Sequence, residues 1–285
     1  MNSGLPKLKN SEGQVLLIVL LVISVLLIVG LSIVSRSVTD IKISQQSQEA
    51  ARALWVAQSG LENAIKANAD IPLTSDTGLS VDYSVVKRPL EGVDFIFPGK
   101  VSANEAVTLW LIPHNEGTGV IEPPVSAAAY QGPRQVSLHW AEGDNKPAIE
   151  MTLLYKDSLG NFQFKRGAFD ANESRARSET NFTPASRNCS TFSTGETFPY
   201  CSGQVVFPAN TIPYLLRLRL IFNTTPQPLG VRSEDSGVFP KQGNCFVSTA
   251  TVQESGVVRK LSECRLWQTT PPIFDYLLFS SNNIE

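Results

Sequence analysis

The side chains best able to do chemistry in this chain are four cysteines, Cys189, Cys201, Cys245 and Cys264, and two histidines, His114 and His139. Thiolate and imidazole are the usual zinc ligands, and paired thiols close disulfides. No two cysteines stand as CxxC, and both histidines lie far from them along the chain. Zinc-site spacing is therefore absent, and no metal is expected. An even count, all of it downstream of a long apolar run, points instead to disulfides in an exported part of the chain. Of the three connectivities open to four cysteines, the local pairs Cys189–Cys201 and Cys245–Cys264 are favoured; the alternative is four reduced, buried thiols.

Other catalytic patterns are missing. There is no nucleophile elbow, no HExxH and no phosphate-binding glycine loop. His139 precedes Trp140 on a strand-like stretch, where a single histidine usually packs. Asp170, Asn172 and Glu173 offer oxygen ligands but lack the glycine and distal glutamate of a calcium loop. The sequence thus predicts neither an enzyme nor a bound cofactor.

Whatever positions these groups must be placed relative to the segment 15–34. It carries no charge and no proline, and only Ser24, Gly30 and Ser32 interrupt its apolar side chains. Twenty such residues at about 1.5 Å each match the roughly 30 Å core of a bilayer. Arg36 ends the run, yet no helix breaker follows until Pro72. Val38 and Ile41, then, past a polar stretch at 44–49, Ala50, Leu54, Ala57, Leu61, Ala64 and Ile65 form an apolar stripe at spacings of threes and fours. Lys42, Gln46, Glu49, Arg52, Gln58 and Glu62 occupy the other face. A continuous helix over 14–69 would be a rod on the order of 80 Å long.

In front of the run stands a short polar leader, MNSGLPKLKNSEG, ending in Gly13. Leader, uncharged helix and amphipathic continuation together resemble the N-terminus of type IV pilins and type II secretion pseudopilins. That resemblance implies cleavage by a prepilin peptidase between Gly13 and Gln14, with residues 1–13 removed. It also implies partner subunits of the same kind, packed through the helix. The family usually begins its mature chain with phenylalanine and has glutamate at the fifth position; here those places hold Gln14 and Ile18. The glutamate neutralises the terminal amine of the preceding subunit inside lipid, where an unpaired charge is costly. A first subunit has no predecessor, so the departure favours a minor or tip type. Two rival readings of the same run are an unprocessed single-pass anchor and a secretory signal peptide. The run is longer than a signal-peptide core and its helical pattern continues past any cut. The later segments 241–261 and 271–280 are similar to pilin-like proteins of candidate-phylum bacteria, a resemblance that carries no activity with it.

Beyond residue 70 the period changes from helix to strand. Stretches at 79–88, 93–97, 106–112, 136–140, 148–155, 162–164, 205–207, 215–222, 245–251, 257–265 and 274–279 alternate apolar and polar residues between Gly, Pro, Asn and Asp. The predicted class is α+β: a transmembrane and amphipathic helix, then an antiparallel, sandwich-like β head over 70–285. Whether that head is one subdomain or two is left open. A polar stretch at 171–203 has no periodicity and reads as a long surface loop.

The 285 residues carry a net charge of −2, a pI near 5.8 and a mean hydropathy of −0.03. No basic stripe is evident, so nucleic acid is not an expected partner. The expected location is a single-pass membrane protein with a cytoplasmic N-terminus and the head outside, displaying a surface whose ligand the sequence does not name. The rival function is a membrane-anchored surface β domain binding a partner or glycan. Intact-mass measurement of membrane-extracted protein should show loss of residues 1–13 only when a prepilin peptidase is co-expressed; retention of the leader in its presence would favour the plain anchor.

Overall fold

The computed structural model describes residues 12–269. Most of the leader and the expected strand at 274–279 lie outside the described residues.

The chain divides into two compact units. The first contains the chain up to Val86 together with Val247–Leu261. Its spine is α1 (Glu12–Ala67), 56 residues without interruption. Apolar, unbranched and β-branched residues alternate without proline, and in a segment with no other backbone partner only a helix satisfies every amide. Two of the hydroxyls inside it bond back to the helix: Ser24 donates to the Leu21 carbonyl (2.8 Å) and Thr39 to that of Ser35 (2.9 Å). Ala64 and Ile65 carbonyls accept the amides of Ala69 and Asn68, and Asn68 turns the chain out at a positive φ of 51°.

After α1 come β1 (Ile71–Asp76) and β2 (Val81–Pro89), an antiparallel hairpin. The sheet is completed far downstream by β12 (Gly243–Val252) and β13 (Val258–Leu266), in the order β1-β2-β12-β13. Ala53, Val56 and Ala57 of α1 are buried with Val81, Ala250 and Val252 of the sheet. The buried stripe continues through Gly60, Leu61 and Ala64. This face differs from the predicted stripe. Ala57, Leu61 and Ala64 are shared, but Leu54 is 40% exposed and Ala53, Val56 and Gly60 take the inner positions. The sheet selects the small side chains because they permit close approach: a Cβ on Gly60 would lie 2.6 Å from the Tyr83 ring.

The second unit comprises Lys87–Phe246 with the chain after Ser262. It contains β3 (Asp94–Ile96), β4 (Ala106–Trp110), β5 (Gln135–Trp140), β6 (Ala148–Lys156) and β7 (Phe162–Asp170). There follow a single helical turn α2 (Glu173–Arg175), β8 (Thr183–Pro184), β9 (Tyr200–Val206), β10 (Ile212–Ile221) and β11 (Leu229–Ser233). Two sheets form, β4-β10-β6-β7-β8 and β3-β11-β5-β9. Every pairing in them is antiparallel except the short β7–β8 contact.

Alternation decides what faces inward. On β10, Leu216, Leu218 and Leu220 are fully buried while Arg219 between them pairs with Glu150 of β6. Those leucines share one core with Leu138, Trp140, Leu229 and Val231 of the opposite sheet. The sandwich expected from the alternation is thus one of two units. The sequence pattern passed over β1, β8 and β11. In β11, Gly230 breaks the pattern because the Phe192 ring crosses there, 2.8 Å from where a Cβ would stand.

Ala57→Leu should overpack the α1–sheet contact. The expected loss is about 1–3 kcal/mol, read as a lower midpoint for the first unit in denaturant unfolding followed by Trp55 fluorescence, with the sandwich transition unmoved.

Candidate functional site

Three places merit consideration, and the first is the helix. Gly13 and Gln14 both fall within α1, so the bond between them lies in helical backbone. From Val15 to Val34 the large apolar side chains are all exposed, Ile18 at 57% and Leu31 at 69%. The helix is long and apolar enough to cross a membrane, with a peak mean hydropathy of 3.3. Farther along, Trp55 is 74% exposed beside Arg52, Ala51, Gln48 and Leu79, which line a hollow of about 310 Å³.

The second is a polar cleft in the sandwich unit, about 620 Å³ in volume. Asn104, Asp144, Lys146, Asn172, Arg175 and Phe222 are among its walls. Asn104, Lys146 and Phe222 have φ values of 62°, 47° and 66°, a left-handed backbone that costs a non-glycine residue energy. Arg175 lies over the Phe222 ring, 4.1 Å from its centroid. The same guanidinium grips Asp170 at 2.7 and 2.8 Å and donates to the Lys146 carbonyl. This fixes the fate of the acidic cluster seen in the sequence. Asp170 is buried against Arg175, Asn172 caps α2 by accepting the Arg175 amide, and Glu173 pairs with Arg177. Its oxygens are committed to the fold and not gathered round an ion.

The third place is where the structure joins residues that the sequence kept apart. Cys189 is bonded to Cys201, with Cα atoms 5.7 Å apart, and Cys245 to Cys264, at 3.9 Å. His139 on β5 stands directly opposite Cys201 on β9. Ser137, two residues earlier on β5, lies on the same face, its Oγ 2.7 Å from His139 Nε2. One imidazole nitrogen and both sulfurs lie within 4.8 Å of one another. The loop 186–201 covers the ring, with Phe192 edge-on at 4.8 Å and Phe198 at 6.0 Å. The polar stretch 171–203 is therefore folded in part into the core: Ala176, Phe192 and Phe198 are buried. The isolated phenylalanines in that stretch were the signal available in sequence; the His139–Cys201 register was not.

His139 is 1% exposed. Burial, aided by the positive Arg232, pushes its pKa down to about 4, while Asp94 opposes the shift. The other histidine packs between Trp110 and Trp267, stacked on the latter at 5.2 Å, and burial lowers its pKa too. Neither histidine has the open approach that a general base needs.

No protein-family model, curated protein or solved structure matches the chain.

Because folded His139 takes a proton only near pH 4 and the unfolded chain near 6.5, the unfolded state binds more protons between those values. Stability of the sandwich unit should be level above pH 6.5 and fall by up to ~3 kcal/mol toward pH 4. Urea unfolding across that range, compared with His139→Gln, checks this: the variant should lose most of the drop, whatever its baseline, and keep only the share that His114, whose pKa is also lowered, contributes.

Proposed function

We propose that the chain is a membrane-inserted, pilin-like subunit of minor or tip type, belonging to a type IV pilus or type II secretion-like filament. The observation that carries this reading is the division of labour along α1. One uninterrupted helix has an apolar first half whose large side chains stand exposed among the described residues and a second half seated on a four-stranded sheet through Ala53, Val56 and Ala57. A plain anchor needs the first half only. A filament subunit needs both, because the apolar half leaves lipid to pack against other such helices while the seated half holds the displayed domain on that shaft.

In this reading the leader 1–13 is cytoplasmic, a prepilin peptidase cuts before Gln14, and both β units are outside the cell. The two disulfides fit an oxidising compartment. The sandwich is what the filament displays. A second reading, a single-pass surface protein whose β domain binds a partner or glycan, is favoured by the cleft walled by Asn104, Lys146 and Phe222, where three strained residues line one polar hollow.

Ile18 separates these readings. A tip subunit meets no earlier terminal amine, so apolar Ile18 suits lipid better than a carboxylate, whose burial in hydrocarbon costs on the order of 3 kcal/mol. Labelled subunits are to be counted in filaments sheared from cells producing wild type or Ile18→Glu. One or a few copies at filament ends, with no rise in the variant, is the expected result. Many copies along the shaft, or a clear rise with glutamate, would replace the tip assignment with a bulk one. Absence of the chain from sheared filaments, with full retention in the membrane, would favour the anchored surface protein.

A further inference from the structure

We propose that His139, Cys189 and Cys201, in the dithiol state of the chain, form a binding site for one Zn²⁺ ion. The disulfide and the metal are then alternative closures of the loop 186–201.

The hydrogen bonds around His139 fix which nitrogen is available. Ser137 Oγ donates its one proton to Glu234 Oε1. Its oxygen lies 2.7 Å from His139 Nε2 and can only accept there, so Nε2 carries the ring proton. The lone pair is left on Nδ1, a buried atom with no hydrogen-bond partner. An imidazole with one nitrogen bare and the other donating into a chain that ends on a carboxylate is the arrangement that orients a zinc-bound histidine. The sulfurs are close at hand, since both lie within 4.8 Å of a nitrogen of the same ring. Ligands about 2.0–2.3 Å from a tetrahedral zinc stand roughly 3.3–3.8 Å apart, so the sulfurs, about 2 Å apart while bonded, must part by roughly 1.7 Å and the ring nitrogen must close on them by about 1 Å. Cys201 is held in β9, whereas Cys189 is only half-buried and lies between strands, free to supply the movement once the sulfur–sulfur bond is gone.

Charge selects the ion. Reduction places two electrons and two protons on the sulfurs, drawn from a two-electron reductant such as a dithiol. Metal binding then releases both thiol protons to solvent. Two thiolates and a neutral imidazole around Zn²⁺ sum to zero, which a site with His139 and Cys201 at 1% and 3% exposure can hold without a large desolvation penalty. Cu⁺ in the same shell would leave a net negative charge. The aromatic lid of Phe192 and Phe198 would keep the site dry. Three protein ligands leave a fourth position for water or another small donor.

The test uses the full chain in detergent, reduced with a phosphine under argon and titrated with Zn²⁺ against a chromophoric chelator. Cys245→Ser/Cys264→Ser serves as a parallel background that keeps the other pair out of the count. The expected result is one Zn²⁺ per reduced chain in that background and none per oxidised chain. Cys189→Ser should weaken binding at least a hundredfold and His139→Gln at least tenfold. Zinc-edge X-ray absorption on the loaded protein should show two sulfurs and a nitrogen, a readout that stands even if the histidine variant misfolds. Equal Zn²⁺ binding by the reduced chain and Cys189→Ser, or a first shell without sulfur, would overturn the proposal, as would Zn²⁺ uptake that vanishes in the Cys245→Ser/Cys264→Ser background.

Discussion

Everything in this protein answers to the apolar half of α1. From Val15 to Val34 its large side chains stand exposed, with nothing among the described residues to cover them. Burying a side chain of this kind is worth about 1.5–3 kcal/mol, so the segment as a whole withholds on the order of 30 kcal/mol while it faces water. Whole domains are stable by about 5–15 kcal/mol. A bilayer or a bundle of similar helices would cover that surface, and the helix is long and apolar enough to cross a membrane.

The second half of the same helix solves a different problem. It is seated on a sheet, and small residues make the contact. Ala53, Ala57, Gly60 and Ala64 bring helix and sheet close enough for Tyr83 to lie over Gly60. The sheet that receives it is assembled from two distant pieces of chain, β1-β2 and β12-β13. Between them the sequence runs out through the whole sandwich and back. Closing so long an excursion costs little more entropy than closing a shorter one, because the penalty grows only with the logarithm of length. Helix, sheet and inserted sandwich can therefore coexist in one chain, each with its own core.

Within the sandwich, burial rather than reactivity governs the groups that might do chemistry. Asp170 is tied to Arg175, and His114 is wedged between two tryptophans. His139 is kept neutral beneath a loop that the Cys189–Cys201 bond fastens down. His139 Nδ1, like His114 Nδ1, is buried without a hydrogen-bond partner; what sets His139 apart is the pair of sulfurs beside its ring.

The sequence by itself determined the elements. An uncharged run followed by spacings of three and four makes a helix, and its length sets its medium. Alternation with period two makes strands, as in β10, where leucines and arginines take turns. Both are local properties of one segment. Tertiary structure decided what depends on partners. It turned the inner face of α1 from Leu54 to Ala53, Val56 and Gly60, because only the sheet fixes which side chains must be small. It divided the β region into two units, because strand order depends on which edges meet. It found β11 despite Gly230, because the ring of Phe192 needs that gap. And it set His139 opposite Cys201, 62 positions later in the chain, because cross-strand register is fixed by pairing between strands and leaves no mark in the spacing of either one.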